Sequence, residues 1–307
     1  MILPQARPAL RPPFDQLLAR MALAYADPRP RQRVYAMAVG LLCGEKPQCV
    51  TSALRFLGRE QQDWSADYRL FSQSACDPQA YFRPVLQQAL AGSAQTAQPV
   101  ITAHDDTLLR KTGRKIPGVR YARDPLSPPF QVNLVLGQRF VQASLLLQPG
   151  GPEHPWRALP VRFDHAPTPQ APRGATAEER TAVRRQRKAQ RLSLVALEQL
   201  RQLRGELDAL GGQDRWLLDV VDGSFTNRTF LRHLPPHTDV LGRFRQDARL
   251  RARLPRSQRR GGRKYGADLP TPRAHLADES VACQQVDLWV GGQWRTLRYK
   301  ERSGVCW

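Results

Sequence analysis

Trp216-Leu-Leu-Asp-Val-Val-Asp222-Gly-Ser224 decides how this chain is read. The run is almost wholly apolar and is closed by Gly-Ser, the pattern of a strand buried on both faces. Asp219 and Asp222 are three residues apart, so on a strand they point to opposite faces. Asp219 lies deeper, and a carboxylate inside an apolar run needs a partner or solvent. Asp222 falls at the mouth of the sheet, where sites commonly form. It is preferred to Asp219 as the exposed ligand, and the alternative for Asp222 is a turn aspartate in an Asp-Gly pair.

Working outward, Thr176 and Glu179 form a capping box that starts a long helix reaching about Leu210. Its apolar stripe is Leu192, Val195, Leu200, Leu203, Leu207 and Leu210, and Gly211-Gly212 stops it. Its first half carries Arg180, Arg184, Arg185, Arg187, Lys188 and Arg191. After the apolar strand come a short helix over Asn227–Leu234 and another strand over Asp239–Phe244. Earlier in the chain, Val100–Ala103 reads as a strand ending at His104-Asp105-Asp106-Thr107. A polar, basic loop over 110–129 follows. Val132–Leu136 and Phe140–Leu147 then read as two strands of a hairpin turning at Gly137-Gln138. Hairpin-joined strands followed by strand–helix alternation imply α/β architecture: a ribonuclease-H-like mixed sheet with flanking helices. The expected divisions are a Pro-rich, disordered N-terminus (1–13), a helical and candidate DNA-binding domain (14–95), the ribonuclease-H-like core (96–245), and a basic, β-rich, incomplete insertion (246–307).

Composition narrows the partner. The chain has 307 residues, with 47 Lys plus Arg against 27 Asp plus Glu, a net charge of +20. Such a balance attracts a polyanion whatever its sequence, and arginine's planar fork suits phosphate. Five cysteines without a CxxC pair argue against structural zinc or a disulfide framework. No apolar stretch is long enough to span a bilayer, and no signal-peptide pattern opens the chain, so a cytoplasmic, nucleoid-associated location without membrane is expected.

Asp106 ends its predicted strand beside Asp105, and alternation lets only one of the two face a given site. Asp106 is preferred, with Asp105 the alternative. Two aspartates on adjacent strands, here Asp106 and Asp222, suit hard divalent ions, Mg²⁺ (or Mn²⁺), which serve phosphodiester displacement. Lys111, Arg114 and Lys115 follow the first aspartate, and Arg259, Arg260, Arg263 and Lys264 crowd a later stretch. Both groups are candidate DNA-phosphate contacts. Trp289 and Trp294 are expected in a core rather than as base-stacking platforms, and His104 is expected to be structural.

These segments carry a family resemblance. His104-Asp-Asp-Thr-Leu-Leu-Arg-Lys-Thr-Gly-Arg-Lys-Ile-Pro-Gly118 resembles the first-aspartate block of IS4/IS701-like insertion-sequence transposases of the DDE superfamily. Leu218-Asp-Val-Val-Asp-Gly-Ser-Phe-Thr-Asn-Arg-Thr-Phe-Leu231 resembles their second block. Gly242–Leu250 and Gly262–Gly266 are similar to the strand and basic stretches that follow. The resemblance spans roughly 95–300. It implies metal-dependent cleavage at transposon ends and strand transfer into target DNA, with Asp106 and Asp222 as the first two catalytic carboxylates. It also implies double-stranded DNA partners (terminal repeats and target) and action as a homodimer. The family's third carboxylate is a glutamate on a helix beyond a β-rich insertion. Here Glu301 lies in a strand-like segment without a following helix, so a C-terminally truncated and even inactive, DNA-binding remnant is the competing expectation. An RNA-binding protein is disfavoured, since no RNA-recognition signature occurs.

Overall fold

The computed structural model describes residues 10–72, 76–91, 98–128, 130–149, 154–258, 265–290 and 292–306. The chain folds into two compact units, Met1–Val220 with Leu234–Asp239, and Val221–His233 with Val240–Trp307.

The first unit opens with five helices: α1 (Arg11–Ala22), α2 (Pro28–Cys43), α3 (Val50–Phe56), α4 (Ser65–Ser72) and, after a 3₁₀ turn at Pro78–Tyr81, α5 (Phe82–Ala91). Arg11–Pro13 were expected in a disordered tail but start α1, because prolines in a first helical turn forfeit no hydrogen bond. Residues 1–9 of that expectation lie outside the described residues. Asp27 caps α2 by accepting the Arg29 amide. Met37, Ala53 and Leu54 form a buried cluster with Leu41, Val50 and Trp64 packed on it. Gly40 permits the close approach of α2 and α3: a Cβ there would lie 2.8 Å from the Ala53 carbonyl oxygen.

The sheet is built from β1 (Val100–Arg110), β2 (Arg120–Arg123), β3 (Leu134–Leu147), β4 (Arg157–His165), β5 (Leu217–Val221) and β6 (Thr238–Gly242), in the order β2-β3-β1-β5-β6, with β4 also on β3. β3 pairs antiparallel with β1 from Ile101↔Leu146 to Arg110↔Gly137. Its other edge takes β2 at Leu134–Gly137 and β4 at Phe140–Leu147. The hairpin expected at Gly137-Gln138 therefore does not form, and one strand of 14 residues runs through it. Neighbouring strands on both edges hold the backbone extended, and a Cβ at Gly137 would come within 2.7 Å of the Leu109 carbonyl oxygen. Pro160 has no amide to donate, and the β3–β4 register shifts beside its partner Ser144, leaving Val161 as the extra residue.

The helix expected from Thr176 to Leu210 is two helices, α6 (Ala177–Ala189) and α7 (Leu192–Ala209). The capping box forms as read, with both Thr176–Glu179 bonds present. Arg191 is extended (ψ 144°) and breaks the run. The break has a packing cause: α6 buries no residue, whereas α7 buries Leu197, Leu200, Leu203 and Leu207. The Val100 amide bonds the Trp216 carbonyl and the Leu217 amide bonds that of His237. Strand starts thus meet strand starts, and β5 runs parallel to both β1 and β6. The result is a mixed sheet, antiparallel around β3 and parallel around β5, covered by helices.

The second unit contains α8 (Arg228–Leu231), β7 (Leu250–Arg253), β8 (Tyr265–Leu269), α9 (Pro272–Ala277), β9 (Gln284–Val290), β10 (Gln293–Tyr299) and β11 (Val305–Cys306). β11, β7 and β8 form one sheet, and β9 with β10 a separate two-stranded ribbon. Phe225 and Phe230 are fully buried and meet edge to face at 6.3 Å. Trp289 and Trp294 were expected in a core. They are instead 60% and 68% exposed and pack edge to face on each other across the ribbon. Every residue of β9 and β10 is exposed, because a two-stranded ribbon has no second layer of its own. None of the described helices is long and apolar enough to cross a membrane. All five cysteines are free.

Candidate active site

The buried centre of the first unit lies where β1 meets β5. Alternation puts Thr102, His104 and Asp106 on one face of β1, and Leu217 and Asp219 on one face of β5. The Thr102 hydroxyl donates to Asp219 Oδ1 at 2.8 Å, and His104 Nδ1 lies 2.7 Å from the same oxygen. Both the imidazole and the carboxylate are 0% exposed. A carboxylate inside an apolar strand is tolerable here because two donors converge on it. Its other oxygen, and Nε2 of His104, are buried without a hydrogen-bond partner among the described residues. Sequence reading singled out both residues, Asp219 as needing a partner and His104 as structural, but did not join them. The pairing depends on which strands become neighbours, and only their alternation was visible beforehand.

Asp106 follows on the same face. β1 continues to Arg110, so the two aspartates lie within a strand rather than at its expected end. Asp106 Oδ2 forms an ion pair with Arg139 Nε at 2.8 Å, and the carboxylate is 18% exposed. The register explains the contact. Asp106 opposes Val141 and Leu108 opposes Arg139, which makes Arg139 the diagonal neighbour on that face. The field around it is positive. Burial, then repulsion from Arg139 and Arg187, draws the Arg120 guanidinium below its ordinary value. Asp105 points the other way, is exposed, and accepts the Asp106 amide at 2.8 Å.

Lys111 directly follows β1, is half-buried, and donates its amide to the Leu136 carbonyl. Arg114 and Lys115 stand exposed on the next turn. That turn is anchored by Gln138 Nε2 donating to the Pro117 carbonyl at 2.7 Å. It also needs Gly118, whose φ is +72° and where a Cβ would lie 2.3 Å from the His165 ring. Two cations are thus presented from a braced loop at the end of the strand that carries Asp106.

Asp222 belongs to the second unit, and Asp106 to the first. Its Oδ1 accepts both the amide and the hydroxyl of Ser224, closing an exposed turn after β5. Arg259, Arg260, Arg263 and Lys264 lie outside the described residues. Glu301 is exposed in the segment between β10 and β11.

The carboxylates of Asp106 and Asp222 offer hard oxygen donors that fit Mg²⁺ or Mn²⁺ in kind. Asp106 is engaged by Arg139, so a cation there would compete with a guanidinium. Among the described residues no group of three or more His, Cys, Asp or Glu side chains is placed to hold a metal ion.

Comparison with known proteins gives a family, and solved structures that include a transposase complex. The Mos1 transposase paired-end complex with left transposon end aligns at 14% identity and a TM-score of 0.22, over 78% of this chain and 61% of that one. The chain therefore spans less than two thirds of that protein's length. No curated protein matches it. The family model described as DDE superfamily endonuclease matches residues 24–303. With that match over nearly the whole sequence, the chain belongs to the DDE superfamily endonucleases.

Proposed function

We propose that the protein is a DNA transposase of the IS4/IS701-like kind, cleaving phosphodiester bonds at insertion-sequence ends and joining them to target DNA. The observation that carries this reading is Asp106 on β1, two residues beyond the buried His104–Asp219 pair that ties β1 to β5. In sequence Asp222 then directly follows β5. Family membership supports the chemistry, the sheet that is antiparallel first and parallel later supports a ribonuclease-H-like core, and the +20 charge supports a DNA partner.

In this reading Asp106 and Asp222 hold Mg²⁺ (or Mn²⁺), which when bound activates the attacking oxygen and stabilises the leaving one. The remaining work falls to the chain. Arg139 holds the Asp106 carboxylate by its 2.8 Å ion pair before a cation arrives and, once displaced, can turn to a phosphate oxygen. Thr102 and His104 hold Asp219 and so keep β1 and β5 in register. Lys111, Arg114 and Lys115 grip the DNA backbone beyond β1, and Arg259, Arg260, Arg263 and Lys264 grip it elsewhere. Terminal repeats and target DNA are the partners, a homodimer is the working form, and the cytoplasm is the location.

The test is incubation of the purified chain with Mn²⁺ and a labelled duplex carrying the ends that flank its gene, beside Asp106→Ala/Asp222→Ala. Cleavage by the wild type that falls at least 100-fold in the double variant supports the reading. Binding without cleavage in both identifies a DNA-binding remnant. No binding at low salt overturns the nucleic-acid reading altogether, since a +20 chain should hold DNA most tightly there.

A further inference from the structure

The second unit contains a cavity of about 730 Å³ lined by Gly223, Thr226, Arg243, Phe244, Arg245, Gln246, Asp247 and Arg273. Its first lining residue directly follows Asp222. Its walls hold three guanidinium groups against one carboxylate. That carboxylate is already matched: Arg245 donates from Nε to Asp247 Oδ1 at 2.9 Å and from a terminal nitrogen to Oδ2 at 2.6 Å. The pair draws Asp247 below the usual carboxylate range and raises Arg245, mainly through those hydrogen bonds. Among the described residues, Arg243 and Arg273 are left as the cavity's uncompensated charge.

The cavity is fixed in place by backbone contacts. The Thr226 hydroxyl donates to the carbonyls of Arg243 and Gly223, at 2.7 and 3.1 Å. The Arg273 amide donates to the Gln246 carbonyl at 3.0 Å. At Gly242 a Cβ would lie 2.0 Å from Thr226 Cγ2, so the arginine-bearing segment is pressed directly against the loop that follows Asp222. Two planar cations held by short backbone ties fit a phosphodiester, whose oxygens accept the paired N–H groups of arginine. The half-exposed Phe244 ring adds a flat wall of the kind on which a base stacks.

We infer that this cavity seats a phosphate of the DNA strand, held by Arg243 and Arg273, beside Asp222. The inference rests on the transposase reading and names one binding site within it. It assigns these arginines a positional task, distinct from the general attraction of the basic loops.

The experiment measures binding of the full chain to a labelled end duplex as salt is varied, for wild type and Arg243→Gln/Arg273→Gln. Each phosphate that is no longer neutralised should flatten the slope of log K against log salt by about 0.9. With one phosphate held by both arginines, the slope of the double variant should therefore flatten by about 0.9, and Arg243→Lys/Arg273→Lys should restore most of it. Duplexes carrying a single neutral methylphosphonate linkage at successive positions then locate the phosphate. One linkage should weaken wild-type binding and leave the Gln variant unchanged. Inorganic phosphate at millimolar concentration, added as competitor, should not displace the duplex; displacement would make this a free-anion site and overturn the assignment to DNA. An unchanged slope in a Gln variant with wild-type circular dichroism also overturns it, as does a methylphosphonate scan that weakens both proteins alike. Failure of the wild type itself to bind DNA instead removes the underlying reading.

Discussion

Two antiparallel ladders in this chain share a sequence pattern and differ in outcome. In β1 with β3, and in β9 with β10, successive side chains point to opposite faces and apolar residues stand on both strands. In the first ladder Thr102, His104, Val141, Ala143 and Leu145 are buried, and the alternation marks an inside and an outside. In the second, all fourteen residues are exposed, including two tryptophans that pack edge to face across the ribbon. Alternation states which side chains share a face. It does not state whether any layer covers that face, and coverage is what converts a pattern into a core.

The largest expected effect tests the covered ladder. Asp219→Ala strands the His104 imidazole and the Thr102 hydroxyl in an apolar interior, and should cost roughly 3–5 kcal/mol in chemical denaturation. Replacing the three together, Thr102→Val/His104→Leu/Asp219→Leu, removes every polar group at once and should recover a good part of that loss. If the single variant costs less than about 1 kcal/mol, the buried pair contributes no more than a surface contact would.

An intermediate effect tests the uncovered ladder. Trp294→Ala removes an edge-to-face partner in an exposed ribbon and should cost about 0.5–1.5 kcal/mol. A loss of core size would show that the ribbon is covered in solution and would dissolve the contrast.

The smallest effect is one of pH. Burial draws the His165 imidazole below its ordinary value of 6.5. The folded state thus favours the neutral ring. Its contribution is complete above about pH 6.5 and is lost as pH falls through the lower, folded-state value. His165→Gln should flatten the acid side of the stability profile below that point and leave the neutral side unchanged, as thermal unfolding across pH would record. The ring is only partly enclosed, packed on Phe140 at 5.0 Å, so solvent screens the effect.

Local signals in the sequence were legible where a single segment contains its own cause. Thr176 and Glu179 satisfy one another's backbone within one turn, and the capping box formed as read. The apolar run at Leu217–Val221 had to be a buried strand, and is one. Readings failed where the cause lies elsewhere in the chain. Gly137-Gln138 has the composition of a turn, yet β1, β2 and β4 hold it straight. The helix across Gln190–Arg191 had no proline or glycine to mark its break, which follows from α7 alone finding a surface to pack against. At the candidate site, Asp106 and Asp105 were distinguishable as opposite-facing from alternation alone. The Arg139 partner was not, because it is set by the register between strand positions 33 residues apart.

The parallel junction of β1 and β5 also has a consequence in time. Thr102 and Asp219 are 117 residues apart, whereas β2, β3 and β4 follow β1 closely along the chain and pair with their neighbours in turn. Closing long segments costs more entropy before any contact repays it. The β1-β3-β4 meander should therefore assemble as soon as it leaves the ribosome, with His104 waiting for a partner not yet synthesised. Docking of β5 is then the step that seals the polar centre, so newly made chain halted before Leu217 should be protease-sensitive along β1 and become resistant once Asp219 has emerged.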